Sequence, residues 1–278
     1  MVPRVSETPS RGGVKPRKRL LMPWTACSTI LLLAIFLGAW EAYVRFFGVS
    51  SLILPPPSAV VGGLIVMVGE TETWNHVWVT VYETVLGFFF ATVIGISLGA
   101  VLGKILWLEK TLNPFIIATQ VVPKVALVPL FVVWFGFGPS SKVIVSAVLA
   151  FFPIFTNTLL GVKSVDTGHR EVMRSLNASR WHTFWRLELP SALPYVLTGM
   201  EIGVVLAIIG AVVGEYLGGN AGLGHMAVAA MNAYQTNQLF AVIILLTGLG
   251  FSFYVTITAL RRLIVPWHES VFVNRDQG

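Results

Sequence analysis

The sequence predicts an all-α, polytopic membrane protein with six spans. Three observations carry this: an apolar composition, six long stretches with almost no charge, and basic residues gathered on one side of the resulting topology. Of 278 residues, 55% are hydrophobic and 12% are charged, against about 25% charged in soluble domains. Mean hydropathy is +0.77. Such a chain is too apolar for a soluble enzyme, a disordered segment, a coiled coil or a nucleic-acid-binding module, whose basic residues need an exposed face. The single cysteine, Cys27, excludes an internal disulfide and a cysteine-based zinc site.

A helix needs about 20 apolar residues to cross the hydrocarbon core. Residues 1–19 read as a disordered basic tail, and a membrane domain over 20–265 follows, with a second tail at 266–278. The spans are expected at about 20–46, 78–104, 111–137, 142–162, 189–217 and 239–262. The first is too long for the apolar core of a cleaved signal peptide and has no small-residue cleavage site. Trp24, Trp40, Trp78, Trp107, Trp134 and Trp267 sit where interfacial anchors belong. Between spans 1 and 2, LILPPPSAV (52–60) reads as a rigid turn that stops any helix, with Ser58 capping a short amphipathic helix. GGNAGLG (218–224) reads as an outer-side loop with several backbone-permissive positions, and 225–238 as a short interfacial helix.

Sixteen of the nineteen Lys and Arg fall on one side of this topology: in the two tails, between spans 2 and 3 (Lys104, Lys110), and in the 163–188 loop. Only Arg45, Lys124 and Lys142 lie in or at the ends of spans. The positive-inside rule then places both termini and that loop in the cytoplasm. An odd number of spans would scramble the asymmetry.

Small residues recur every four positions in span 2 (Gly87, Ala91, Gly95, Gly99, Gly103) and span 5 (Gly199, Gly203, Ala207, Ala211, beside Gly210, Gly214, Gly218). Such rows let helix backbones approach closely. They serve packing within the bundle, or part of span 5 lines a central interface or pathway.

Eight of the 32 charged residues lie in the 163–188 loop. Asp166 can cap a first short helix, and Asn177 can take a left-handed conformation that ends it. A second helix runs from about Ala178 to Arg186, with Ala178, Trp181, Phe184 and Trp185 on one face. Pro190 marks the start of span 5. Physics alone leaves two readings of this helix pair: it lies on lipid headgroups, or it docks a protein.

The loop resembles the cytoplasmic motif of permease subunits of binding-protein-dependent ABC importers. That motif runs Glu-Ala-Ala, three residues, Gly, nine residues, Ile, one residue, Leu-Pro. Here Glu171, Val172 and Met173 fill the first positions, Asn177 replaces the glycine, and Leu187 precedes Glu188, Leu189 and Pro190. Asn is a common substitute for Gly where φ is positive, whereas Val172 and Met173 are larger than the alanines and alter the fit to a partner. The resemblance spans about residues 50–267. PKVALVPLFVVWFGFGPSSK (123–142), FFPIFTNTLLGVKSVD (151–166) and GEYLGGNAGLG (214–224) are similar to the nitrate, sulfonate and taurine branch, which also serves pyrimidine precursors of thiamine.

The resemblance implies an inner-membrane transport subunit and no enzyme. It implies two ATP-binding cassette ATPase subunits, a second permease subunit (a homodimer) and an extracytoplasmic solute-binding protein. The solute would be a nitrate-, sulfonate- or taurine-like anion, or a small heterocycle such as a pyrimidine. It assigns ATPase coupling to Glu171, Asn177, Ala178, Trp181, Phe184, Trp185, Leu187, Leu189 and Pro190.

Lys124, Glu201 and Glu215 are pathway or gate candidates. Lys124 faces a cavity or anion pathway, or it snorkels or satisfies carbonyls freed by Pro123 and Pro129. Glu215 belongs to an outer gate or a subunit interface, and His225 belongs to that gate or is solvated. Lys142, at the end of span 4, is expected to touch headgroups. A secondary transporter or channel is the alternative, although no internal repeat supports it. No HExxH, Ser/His/Asp set, cofactor motif or phosphate-binding GxxxxGK[ST] is present, so energy must come from another subunit.

Overall fold

The structure, a computed structural model, describes residues 22–266. The expected tail over 1–19, all but the first residue of the 266–278 tail, the Trp24 side chain and Trp267 lie outside the described residues. Every described element is a helix. Five helices are long and apolar enough to cross a membrane, or six when a bent pair counts as one span.

The core is a packed trio: α3 (Thr71–Lys104), α6 (Pro139–Lys163) and α9 (Leu189–Gly218). α6 is the central member, lying against both others along its length. The small-residue rows explain why. A methyl group added at Gly99 would meet the Phe155 carbonyl at 2.8 Å, and one at Gly203 would meet the Ile154 side chain at 2.8 Å. At Gly210 it would lie 2.7 Å from the Ser146 Cα. The span 2 glycines and Gly199, Gly203, Gly210 and Gly214 of span 5 therefore face α6, whereas Gly218 meets Val132 and Phe137; these glycines serve packing within the bundle. In lipid no hydrophobic drive joins helices, so close backbone approach supplies the association. Ala91, Ala150, Ile154 and Ala207 form the resulting core at 0–1% exposure.

The outer elements attach more loosely. α1 (Met22–Phe46) is largely exposed and touches mainly α2 (Pro57–Gly69). The 52–60 turn differs from expectation. Pro57 opens α2 instead of blocking it, because the first helical position needs no N–H donor. Ser58 does not cap: the Glu41 carboxylate of α1 accepts its backbone N–H at 3.0 Å and its hydroxyl at 2.8 Å. α2 is apolar throughout, PSAVVGGLIVMVG, and not amphipathic. It packs on α11 (Thr236–Ile264).

Span 3, expected as one helix over 111–137, is broken. α4 (Leu106–Val121) and the segment through α5 (Val128–Phe135) meet at 79°. Pro123 and Pro129 lack donors for an unbroken ladder, and a 3₁₀ turn, Lys124–Leu127, fills the corner. α4 buries no residue within the chain. Span 2 begins at Thr71 rather than about 78. α10 (Leu223–Asn232) begins inside GGNAGLG and packs on α9 and α11 rather than lying free at an interface.

Close packing on α6 makes a sharp prediction. Gly210→Ala should destabilise the protein by about 1–3 kcal/mol, the usual cost of overpacking. Gly62→Ala, which meets nothing within 4 Å, should not. Thermal unfolding in detergent compares the two; equal midpoints would contradict the packing account.

Candidate functional site

The 163–188 loop closes one end of the bundle. Asp166 caps α7 (Thr167–Ser175), its carboxylate accepting the Gly168 N–H at 2.6 Å. The helix ends in a paired hydrogen-bond motif: Ala178 N–H reaches the Met173 carbonyl at 3.0 Å and Asn177 N–H reaches Arg174 at 2.9 Å. This closure requires a left-handed residue, and Asn177 supplies it with φ of +53°. Ser179 then caps the next helix, accepting the His182 N–H at 3.2 Å.

That next helix is not a separate piece. One α turn, α8 (Arg180–Thr183), passes into a π segment, Phe184–Glu188, and directly into α9. Pro190 does not start the span; it lies inside a continuous helix from Arg180 to Gly218. Its missing N–H leaves the Arg186 carbonyl without an α-type donor, and the wider π turn just ahead absorbs the irregularity.

Trp181, Phe184 and Trp185 share a face, with ring centroids 5.5–6.2 Å apart. Trp181 is 68% exposed and Trp185 49%. Glu171 and Asn177 are exposed, whereas Ala178, Leu187, Leu189 and Pro190 are half-buried. Phe184 turns inward, with the Lys104 ammonium 4.8 Å from its ring centre.

Glu188, only a spacer in the sequence motif, is the anchor of this end. Its carboxylate holds Lys104 of α3 at 2.9 Å and Arg170 of α7 at 3.7 Å. Lys163 of α6 meets Glu109 of α4 at 2.7 Å. The sequence contained both charges of each pair, but nothing in their spacing links residues 18 to 84 positions apart.

The opposite end holds a buried polar junction, where Lys142 departs from expectation. Lys142 does not touch headgroups. It is 2% exposed and donates to the carbonyls of Phe137, Gly138 (3.0 Å) and Gly218 (2.6 Å). Glu215, at 1% exposure, faces the interior of the chain instead of an interface between subunits. It accepts the Thr80 hydroxyl at 2.7 Å and the Gly224 N–H at 2.6 Å. The GGNAGLG loop is shaped around it: Gly222 has φ of +103°, and a methyl group on Gly224 would lie 2.7 Å from the Glu215 carboxylate. Gly222 N–H donates to Nδ1 of His76 at 2.9 Å, and His76 lies 6.1 Å from half-buried His225. Glu83, a residue overlooked in the sequence, lines a cavity of about 240 Å³ with Lys142, Gly138 and Asn220.

The other pathway candidates stand apart from this junction. Lys124 donates to the Gln120 carbonyl at 3.3 Å and sits 4.3 Å over the Phe152 ring, at the α4–α5 corner. Glu201 pairs with Arg261 of α11 at 2.7 Å. Beside that pair, Asn157, Pro194, Tyr195, Thr198 and Arg261 line a cavity of about 290 Å³. Lys124, Glu201 and Glu215 thus occupy three separate places.

Residues 91–267 match the family described as "Binding-protein-dependent transport system inner membrane component". The chain belongs to this family. It is therefore the inner-membrane permease component of a binding-protein-dependent transport system, a transport subunit and not an enzyme, and this sets aside the secondary transporter or channel. The permease is 35% identical to the formylaminopyrimidine transport permease protein ThiX of Halalkalibacterium halodurans, over 88% of this chain and 98% of that one. It is 36% identical to the riboflavin transport system permease protein RibX of Chloroflexus aurantiacus (92% and 97% covered). It is 32% identical to the taurine transport system permease protein TauC of Escherichia coli (91% and 96%). Among solved structures, a chain of the MetNI methionine ABC transporter, in an inward-facing conformation, shares the fold. The TM-score is 0.58 at 21% identity, covering 67% of the permease and 93% of that chain.

The left-handed turn yields a test. Asn177→Gly should keep the loop intact, whereas Asn177→Val should cost about 1–2 kcal/mol locally and speed amide exchange across 167–188. Equal exchange in both variants would contradict the turn. Glu188→Gln should loosen the same segment by at most about 1 kcal/mol, the range for partly exposed ion pairs, read in the same exchange experiment.

Proposed function

We propose that this permease forms the pathway for a small solute and that its 163–188 loop docks on an ABC ATPase. Two copies of the chain pair, each engages one ATPase subunit, and an extracytoplasmic solute-binding protein delivers the solute at the opposite end. The basic-residue asymmetry supports this orientation, with both termini and the loop in the cytoplasm.

The observation that carries the reading is the exposed aromatic cluster on a helix that runs unbroken into a span. Trp181 and Trp185 offer apolar area to a partner, beside Glu171, whose carboxylate can meet a basic residue. Large exposed aromatics at a membrane subunit's end are typical anchors of protein contacts. Ala178 and Phe184 back that face, the Asn177 turn sets its angle, and Leu187, Leu189 and Pro190 join it to α9. A push on the Trp face is a push on α9 and, through α6, on the whole trio. Lys124 and Glu201 lie on segments that the trio's motion would carry, and remain our pathway candidates.

The named relatives carry riboflavin, taurine and a formylaminopyrimidine, which differ in charge and size. We place this chain's solute in the same range of small anions and heterocycles, with selection by the binding protein. Trp185→Ala or Glu171→Ala should leave the permease folded and membrane-inserted but weaken the ATPase complex. Loss of a hot-spot anchor costs about 2 kcal/mol or more, roughly thirtyfold in Kd for the Trp variant. Copurification and ATP-driven uptake measure it; wild-type behaviour of both variants would refute the docking assignment.

A further inference from the structure

The buried junction contains more acid than its visible partners can balance. Glu83 and Glu215 are 2% and 1% exposed, and Lys142, the cation beside them, is 2% exposed. An ammonium has three donors, and Lys142 directs them to the carbonyls of Phe137, Gly138 and Gly218. None is left to bond a carboxylate. Glu215 is well supplied as an acceptor: Thr80 donates to one oxygen and Gly224 to the other. Glu83 is not, and its Oε2 is buried with no hydrogen-bond partner. Glu83 stands one turn after Thr80 on α3, on the helix side where Thr80 meets Glu215, and lines the cavity beside Lys142.

Two ionised carboxylates in contact repel each other, and in a low-dielectric interior such pairs hold one proton between them. With both ionised, the junction would bury one uncompensated negative charge, a costly state within a membrane bundle. One proton removes the excess and turns the unpaired oxygen into a donor. Histidines do not supply the missing charge. His76 Nδ1 is an acceptor for Gly222 N–H, so an added proton there would break that bond, and His225 lies beyond His76 on α10.

We propose that Glu83 is a proton-binding site, held as a neutral acid that donates to the Glu215 carboxylate. The pair plus Lys142 is then electroneutral. Glu83 acts as a positioning residue. It keeps Glu215 in the orientation that gathers Thr80, Gly224 and the GGNAGLG loop, and so ties α3, α6, α9 and α10 together at this end. The inference stands whatever the solute and whether or not the loop docks an ATPase.

Infrared spectroscopy of the full-length permease in its transporter complex, reconstituted in lipid at neutral pH, tests it directly. A carbonyl stretch of a protonated carboxylic acid should appear, shift on ¹³C-glutamate labelling and resist hydrogen–deuterium exchange. It should vanish in Glu83→Gln. Because an amide donates as the neutral acid does, Glu83→Gln should retain wild-type thermal stability and uptake, whereas Glu215→Gln should lose both. Absence of the glutamic-acid band in the wild-type protein would overturn the proposal, even if a variant failed to fold. So would a Glu83→Gln protein as impaired as Glu215→Gln.

Discussion

Everything in this fold hangs on the contact of α6 with α3 and α9. The loop end and the opposite end both rest on it. Both are built from residues that the trio brings together: Lys104, Lys163 and Glu188 at one end, Glu83, Lys142 and Glu215 at the other. The trio in turn depends on absent side chains. Where a glycine faces the α6 backbone, no atom can move aside to admit a methyl group. Close contact of this kind is the means of helix association that lipid leaves open.

The two ends use charge differently. At the loop end the pairs are half-exposed, so each contributes little alone. They orient α7 and the Trp face without locking them, which suits the docking role proposed for that surface. At the far end the charges are buried and every donor on Lys142 is committed to a carbonyl. Breaking such a junction leaves unpaired groups in a medium that cannot solvate them. One end is adaptable, the other fixed, and a continuous helix from Arg180 to Gly218 connects them.

The sequence disclosed what depends on local pattern. Charge-free runs marked the spans, the four-residue rows marked packing faces, and Asp166 and Asn177 marked the limits of α7. It disclosed less where a residue's fate is set by a distant partner. Lys142 looked like an interfacial lysine because its carbonyl acceptors include Gly218, which is 76 positions away. Glu83 went unnoticed because it stands alone in its run. The corner at Pro123 read as part of one span, since composition alone does not show direction. Pro190 read as a boundary, but a π turn can carry a helix past a proline, and the sequence does not show that it does.

The central claim is that the loop's aromatic face and the span behind it move as one body. Distance measurement between spin labels tests it most directly. With Cys27 replaced by Ala, labels at Arg180→Cys and Tyr216→Cys sit on exposed positions at the two ends of the continuous helix. In the assembled transporter, the distance between them should be the same with and without a bound ATP analogue, while either label moves relative to α1. A nucleotide-dependent change in the 180–216 distance would show that the helix yields at its π segment, and would contradict the account.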